Sequence, residues 1–413
     1  MKRVAIIGGG ITGLCSAYYL VKAGYDVTIV DKGNITKGAS FINAGYVTPS
    51  HFVPIAEPGM INQGIKWMFN NSSPFYIKPR WDIDFFKWSW YFKKSSTKHK
   101  VAKAIPVLKE LNEKSRDLYA EMLESLDFEF HMERKGLLMV YKSAKNEEHE
   151  GQIAEKGKEL GLDVKVLDKK ALHDLEPQFS DDVIGGVHYE CDAHSTPNLF
   201  MKNLKKWLED KGVKFVLEET VSGLEVDGKT IKAIHTSKNT IEADEFIMAA
   251  GSWTFPLAKK LGLNIPIQPG KGYSMSITRE TNINLPAILT EAKVAVTPMK
   301  GFTRFAGTME LSGDNNIILP NRVEAIANAA SNYYSGFTLT PEEKQSATSG
   351  LRPVSPDGLP FIGKSSKFRN LNIAAGHAMM GWSLGPITGK LISEIVEGNH
   401  TSVLLEPFDL ERF

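Results

Sequence analysis

The 413-residue chain contains only two cysteines, Cys15 and Cys191. So few thiols exclude a disulfide framework or a cysteine-rich metal site, and they fit a reducing compartment. Long apolar runs are also missing, and none reaches the roughly 18 residues needed to span a bilayer. The first apolar run stops at Ile7 and glycines follow, so a secretory leader is not expected. Neither charge sign is in excess: 49 Lys plus Arg against 48 Asp plus Glu leaves +1. That balance provides no long-range field for nucleic acid. Repeats and low-complexity linkers are absent, and no His/Glu spacing suggests a metal site. The expectation is a cytoplasmic protein without a nucleic-acid partner, with attachment to the inner face of the membrane left open.

The chain opens with a short apolar run, Arg3 to Ile7, then a glycine turn, a helix ended by Gly24, and a second apolar run closing at Asp31. This is a βαβ unit at the start of a parallel sheet. Its turn, Gly8-Gly9-Gly10-Ile11-Thr12-Gly13, fits G-x-G-x-x-G in the required context. Gly8 permits the tight turn, Gly10 lets the backbone approach a diphosphate, and Gly13 lets helix and sheet pack closely. The N–H groups of Ile11 and Thr12 at the helix start would face the phosphates. Asp31 stands 18 positions after Gly13, near the spacing of about 20 for a carboxylate on ribose hydroxyls. Such an acid disfavours a 2′-phosphate, and Lys32 follows it as a further cofactor contact.

Later strand-like runs include Val183–His188, Ile231–His235, Lys271–Ile277 and Gly301–Ala306, with Leu371–Ala375 before a last glycine turn and helix. The reading is α/β: a Rossmann-like nucleotide-binding domain with an inserted, mostly antiparallel α+β substrate domain. The expected boundaries are 1–80, 145–260 and 345–413 for the first, and 81–144 and 261–344 for the second.

The choice of flavin over nicotinamide rests on two stretches. Lys37 to Gly45 is a loop of small residues that can lie along a second ligand portion. Ala374 to Ser383 leads into a helix whose N-terminus would stabilise negative charge on a reduced flavin ring. No second G-x-G-x-x-G provides a separate nicotinamide site. With Ala249-Ala250-Gly251-Ser252-Trp253, Pro269-Gly270-Lys271-Gly272-Tyr273-Ser274, Gly350-Leu351-Arg352-Pro353 and Gly376-His377 with Gly381-Trp382, these pieces run in order along nearly the whole chain. In them the sequence resembles the D-amino acid oxidase/dehydrogenase family of flavoproteins, and most its bacterial D-amino acid dehydrogenase branch.

The resemblance implies FAD, with Asp31 on the adenosine ribose, the Val221 backbone at the adenine, and Ser40, Asn43, Ala44 and Gly45 along the flavin. Gly251, Gly376, His377, Met380, Gly381, Trp382 and Ser383 complete the cofactor set. It also implies hydride transfer from a substrate Cα to flavin N5, with electrons passed to a quinone-type acceptor, or to oxygen in an oxidase of glycine or an N-methyl amino acid. A flavin-binding redox sensor without turnover is the reading from another class. The substrate would be a small amino acid, a D-amino acid first, with proline or D-hydroxyproline as candidates.

A carboxylate is best gripped by a bidentate guanidinium, and Arg352 corresponds by motif to the family's carboxylate-binding arginine. Its structural alternative is a loop-supporting salt bridge. Arg304 is a second candidate that strand alternation could turn to solvent. Tyr273 could donate to the carboxylate or pack as a strand aromatic; His51 could line the pocket or sit on a surface loop. Glycine oxidases of the family carry an arginine just after the Gly-His pair. Here Met379 stands there, implying a more apolar pocket. The aromatic segment from about Asn70 to Lys94, densest over Trp81–Lys94, could rest on a membrane surface, although core filling is the favoured reading.

Overall fold

The computed structural model describes residues 1–59, 74–126, 128 and 130–413; residues 70–73 of the aromatic segment lie outside them. Two sheets dominate. The first is six-stranded in the order 214–216, 26–30, 3–7, 245–248, 371–375 and 361–364, parallel except at its last edge. It unites strands more than 350 residues apart in sequence (Arg3–Ile7 and Leu371–Ala375), as a chain-spanning nucleotide unit requires.

Two glycines fix how helices lie on this sheet. The opening helix Ile11–Lys22 and the closing helix Gly385–Glu397 run side by side. A Cβ at Gly385 would lie 2.6 Å from Ile11, and one at Gly389 2.4 Å from the Cys15 backbone. Both contacts step by four residues in the same direction, so the helices are parallel and their N-termini adjoin. Neither N-terminus carries a side-chain cap from its own N-cap residue.

The second sheet is mostly antiparallel. Its path is 348–354, 268–277, 302–311, 294–299, 287–289, 137–141, 185–189 and 164–168, with 75–77 added beside 302–311. Its outer face is filled by Met275, Ile277, Phe305 and the helix Pro320–Tyr333, through Val323, Ile326 and Ala330.

Strands 75–77, 164–168, 185–189 and 348–354, expected in the nucleotide unit, therefore pair in the second sheet. The long helix Lys98–Ser125, expected in the substrate unit, instead buries Leu108, Leu111, Leu118 and Tyr119 with Tyr18 and Ile387 in the core of the first. An apolar helical stripe fixes which face is buried but not which partner covers it. Among the described residues, no helix is long and apolar enough to cross a membrane.

Candidate functional site

The glycine turn is held from both sides. Gly9 N donates to Asp31 Oδ2 at 2.6 Å and Gly33 N to Asp31 Oδ1 at 2.7 Å. Each carboxylate oxygen keeps a lone pair free for a further donor such as a ribose hydroxyl. Gly8 has φ +110°, and a Cβ at Gly13 would sit 1.9 Å from the Gly8 carbonyl oxygen. Over Gly10 such an atom would approach only Ser40 Oγ, at 3.2 Å. These are the tight turn, the helix–strand contact and the open approach that a dinucleotide requires. Thr12, buried in the first helical turn, receives on its carbonyl the Ser16 hydroxyl.

The loop through Gly45 reaches from this turn to the second sheet. Ser40 Oγ accepts from Ile11 N at 3.1 Å. Farther on the loop's carbonyls are taken by the sheet side: Asn43 O by Arg304 Nη1, Ala44 O by Thr297 Oγ1 and Gly45 O by Ser195 N, each at 2.8 Å. Gly45 N is bound to Asn43 Oδ1. Arg304 is thus a buried clamp on the loop, not a solvent-facing residue: only 4% of it is exposed, because alternation turns it to the loop face of the sheet.

Arg352 occupies the same face. Its guanidinium lies directly over Gly272, where a Cβ would come within 2.2 Å of Nη1. Nη1 donates to the Thr308 carbonyl at 2.7 Å. No ion pair is formed among the described residues, so the loop-supporting salt bridge is missing. Burial of this cation pulls its pKa down to about 10. The Thr308 carbonyl is presented by a β-bulge, since Tyr273 pairs Gly307 while Lys271 pairs Glu310, leaving two residues opposite Gly272. Thr308 adopts φ +67°, a strained conformation for a β-branched residue.

The glycine–histidine stretch is tied to this strand. Ala378 N donates to Pro353 O at 2.8 Å, and His377 bridges Val354. Gly376 turns at φ +80°. His377 Nε2 pairs with Thr388 Oγ1 at 2.9 Å in the closing helix, and burial holds its pKa near 4. Trp382 Nε1 donates to Ser195 Oγ at 2.8 Å, and Ser383 Oγ accepts from Thr48 N at 3.0 Å. Met380 packs on the first core and Gly381 sits against the His377 Cβ. Met379, at the glycine-oxidase arginine position, is 48% exposed. Gly251, φ +56°, precedes Ser252, whose hydroxyl donates to Leu351 O beside Arg352.

Other expected contacts stand elsewhere. Tyr273 is on the opposite face from Arg352, where its hydroxyl donates to Glu310 at 2.7 Å beside the buried Lys271–Glu310 pair. It cannot reach the Arg352 face, because neighbouring residues on a strand alternate sides. His51 pairs with Ser50 Oγ at 3.1 Å, and Ser50 donates to the buried Asp192; its bonding is to this chain, not to Arg352. Lys32 Nζ lies 3.2 Å from the Trp253 ring centre, bracing the turn after Gly251. Val221 pairs Thr236 in a separate small sheet, while the preceding Glu219 N donates to Asp31 O. Sequence reasoning missed Gly272 and Thr308, and also a cluster of His131, Glu133 and His194 that the fold assembles behind the loop.

The chain matches the FAD dependent oxidoreductase family over residues 3–395. It is 29% identical to a D-amino acid dehydrogenase of Neisseria gonorrhoeae over 421 aligned residues, covering 100% of this chain and 99% of that one. A D-amino acid dehydrogenase of Granulibacter bethesdensis is 30% identical, with 97% of each chain covered. In fold it is similar to glycine oxidase from Geobacillus kaustophilus, with a TM-score of 0.79 at 22% identity and full coverage of both chains. The uncapped paired helix ends, the Asp31 brace and the open approach at Gly10 suit an FAD diphosphate and ribose. With the family match spanning nearly the whole chain, this protein belongs to the FAD-dependent oxidoreductases of that family, and FAD is its cofactor.

Proposed function

We propose that the protein oxidises the carbon–nitrogen bond of a small amino acid, a D-amino acid first, and passes the electrons to a quinone-type acceptor. The carrying observation is Arg352: a mostly buried guanidinium with one carbonyl partner and no carboxylate, on the face that the loop 39–45 covers. A buried cation without a counter-ion is costly, and an incoming carboxylate relieves that cost with charge-assisted hydrogen bonds. FAD, when bound, supplies the hydride acceptor. The chain's own part is to hold the substrate by its carboxylate, orient the Cα hydrogen and exclude water. Gly272 leaves room for the guanidinium, Thr308 O fixes its direction, and Arg304 fixes the covering loop.

The acceptor and membrane parts of the reading draw on the helix Ile83–Ser95. Its Phe85, Trp88 and Phe92 fill a core with Met309 and Val354, and Trp88 Nε1 donates to Val354 O. Trp81, Ile83, Phe86 and Trp90 remain 98%, 85%, 50% and 55% exposed. Lys87 and Lys94 lie over the Tyr91 and Trp90 rings. Exposed aromatics among lysines suit a lipid surface from which a quinone is delivered.

The test is a panel of D- and L-amino acids, with proline and D-hydroxyproline, scored by artificial dye reduction and by peroxide formation in air. The reading expects dye reduction with a D-amino acid or imino acid and little peroxide; preferential turnover of glycine with stoichiometric peroxide would replace it by the oxidase reading. Reduction by no amino acid would leave the redox-sensor reading. Vesicle flotation with Trp81→Ala/Trp90→Ala should lose binding if the exposed aromatics dock on lipid.

A further inference from the structure

We infer that His131, Glu133 and His194 form a binding site for a divalent transition metal ion, zinc first, which clips together a small sheet behind the loop 39–45. The strand Ala193–Ser195 lies between Tyr46–Val47 and Met132–Glu133, and Glu133 and His194 are direct cross-strand partners. Their side chains therefore project from the same face at close range. His131, two residues before Glu133, joins them from the same side, and donor atoms of all three lie within 4.8 Å of one another.

Each imidazole faces a different oxygen of Glu133, and a modest drawing together of the three donors, now within 4.8 Å, would hold an ion. His131 Nε2 is 3.4 Å from Glu133 Oε1, and His194 Nε2 is 3.6 Å from Glu133 Oε2. A tetrahedral ion with ligand bonds of about 2.0–2.2 Å sets its donor atoms about 3.3–3.6 Å apart. Two imidazoles and one carboxylate are a zinc-type donor set that leaves a fourth position for water.

His194 is the independent sign. It is 0% exposed, yet neither ring nitrogen meets a partner among the described residues at normal hydrogen-bond geometry. The Pro298 backbone offers the ring a hydrogen bond of poor geometry, and Glu133 Oε2 lies 3.6 Å from Nε2. A buried imidazole held this loosely is destabilising, and a metal bond would satisfy it better. His131 has the outer support that such ligands use: Nδ1 is 2.9 Å from Thr196 Oγ1, itself fixed by Lys300 N. With Nδ1 as donor to Thr196, the lone pair falls on Nε2, the atom toward Glu133. Partial exposure of the His131 and Glu133 side chains, 18% and 35%, gives an ion a way in.

One contact competes. Lys135 Nζ is 2.7 Å from Glu133 Oε2. Its side chain is half exposed and can swing into water, so its removal should strengthen metal binding. A bound ion would act on the cofactor side through the next residue. Ser195 N holds Gly45 O, and Ser195 Oγ receives Trp382 Nε1.

The experiment uses the yellow, flavin-loaded protein after chelator treatment and dialysis, titrated with zinc chloride alone and followed by calorimetry and by metal content per flavin. One equivalent of zinc should bind and raise the thermal midpoint, while magnesium should not. His131→Ala and Glu133→Gln should each weaken zinc at least about tenfold with the flavin spectrum unchanged. Lys135→Ala should tighten it, and His235→Ala, at an exposed His–Glu pair elsewhere, should leave it unaltered. If the two ligand variants lose flavin, Lys135→Ala alone decides by the sign of its effect. Equal zinc content in wild type and the His131→Ala/Glu133→Gln double variant, or no tightening by Lys135→Ala, would overturn the site.

Discussion

The two faces of the strand Gln268–Ile277 are built to opposite ends. One presents Gly270, Gly272, Ser274 and Ser276, with Gly272 beneath the Arg352 guanidinium and Ser276 bonded to that of Arg304. The other presents Lys271, Tyr273, Met275 and Ile277, tightly covered by the helix Pro320–Tyr333. Both faces bury cations, but they treat them differently. Lys271 is compensated by Glu310 at 3.1 Å, with Asn315 and Ile317 O completing its shell. Arg352 has the Thr308 carbonyl and, among the described residues, no acid. The Lys271 charge is spent within the sheet and that of Arg304 on the loop carbonyls, whereas Arg352, with one carbonyl partner, keeps donors for the carboxylate proposed above.

That contrast can be broken most sharply at Arg352. Arg352→Ala should raise the KM for an amino-acid substrate about 100-fold, from loss of charge-assisted bonds of about 1.5–3 kcal/mol, while the flavin absorbance per protein stays constant. A KM within twofold of wild type would refute the contrast.

Gly272→Ala tests the same face without touching a charge. The new Cβ would overlap the guanidinium and displace it, at an overpacking cost of about 1–3 kcal/mol. KM should rise about tenfold, measured in the same dye assay. On the other face, Tyr273→Phe should leave KM unchanged and lower stability by about 1–2 kcal/mol in urea unfolding, through the lost bond to Glu310. A large change in KM with unchanged stability would restore Tyr273 to the site.

A pH-dependent test concerns His377. Its folded pKa, held near 4 by burial, lies below the ordinary value of about 6.5. Between those values the unfolded chain binds the extra proton, so stability should fall as pH drops from about 6.5 toward 4. The slope for one proton is about 1.4 kcal/mol per pH unit. Comparing urea midpoints of wild type and His377→Gln across that range should show this slope removed.

The uneven legibility of the molecule has physical causes. The glycine turn could be read directly because Gly8 to Asp31 are contiguous and each glycine answers a local steric demand. Arg352 was reached through its motif, but its surroundings were not. The bulge at Thr308 shifts the register of side-chain alternation, and a period of two carries no mark of it. Tyr273 looked like a site residue for the same reason. Alternation separates the two faces without saying which one meets the cofactor, and here the core face is itself polar. Glu133 and His194 are 61 residues apart and meet only through cross-strand pairing; the His-x-Glu alternation at 131–133 was the one local sign.

Arg352 is expected to receive the substrate carboxylate in the space covered by the flavin loop. The most direct measurement is a spectral titration of the oxidised, flavin-loaded protein with propionate, a carboxylate without an amine to oxidise. The account predicts a saturable shift of the flavin band near 450 nm, with Kd raised about 100-fold in Arg352→Ala. The same shift at the same Kd in both proteins would contradict it.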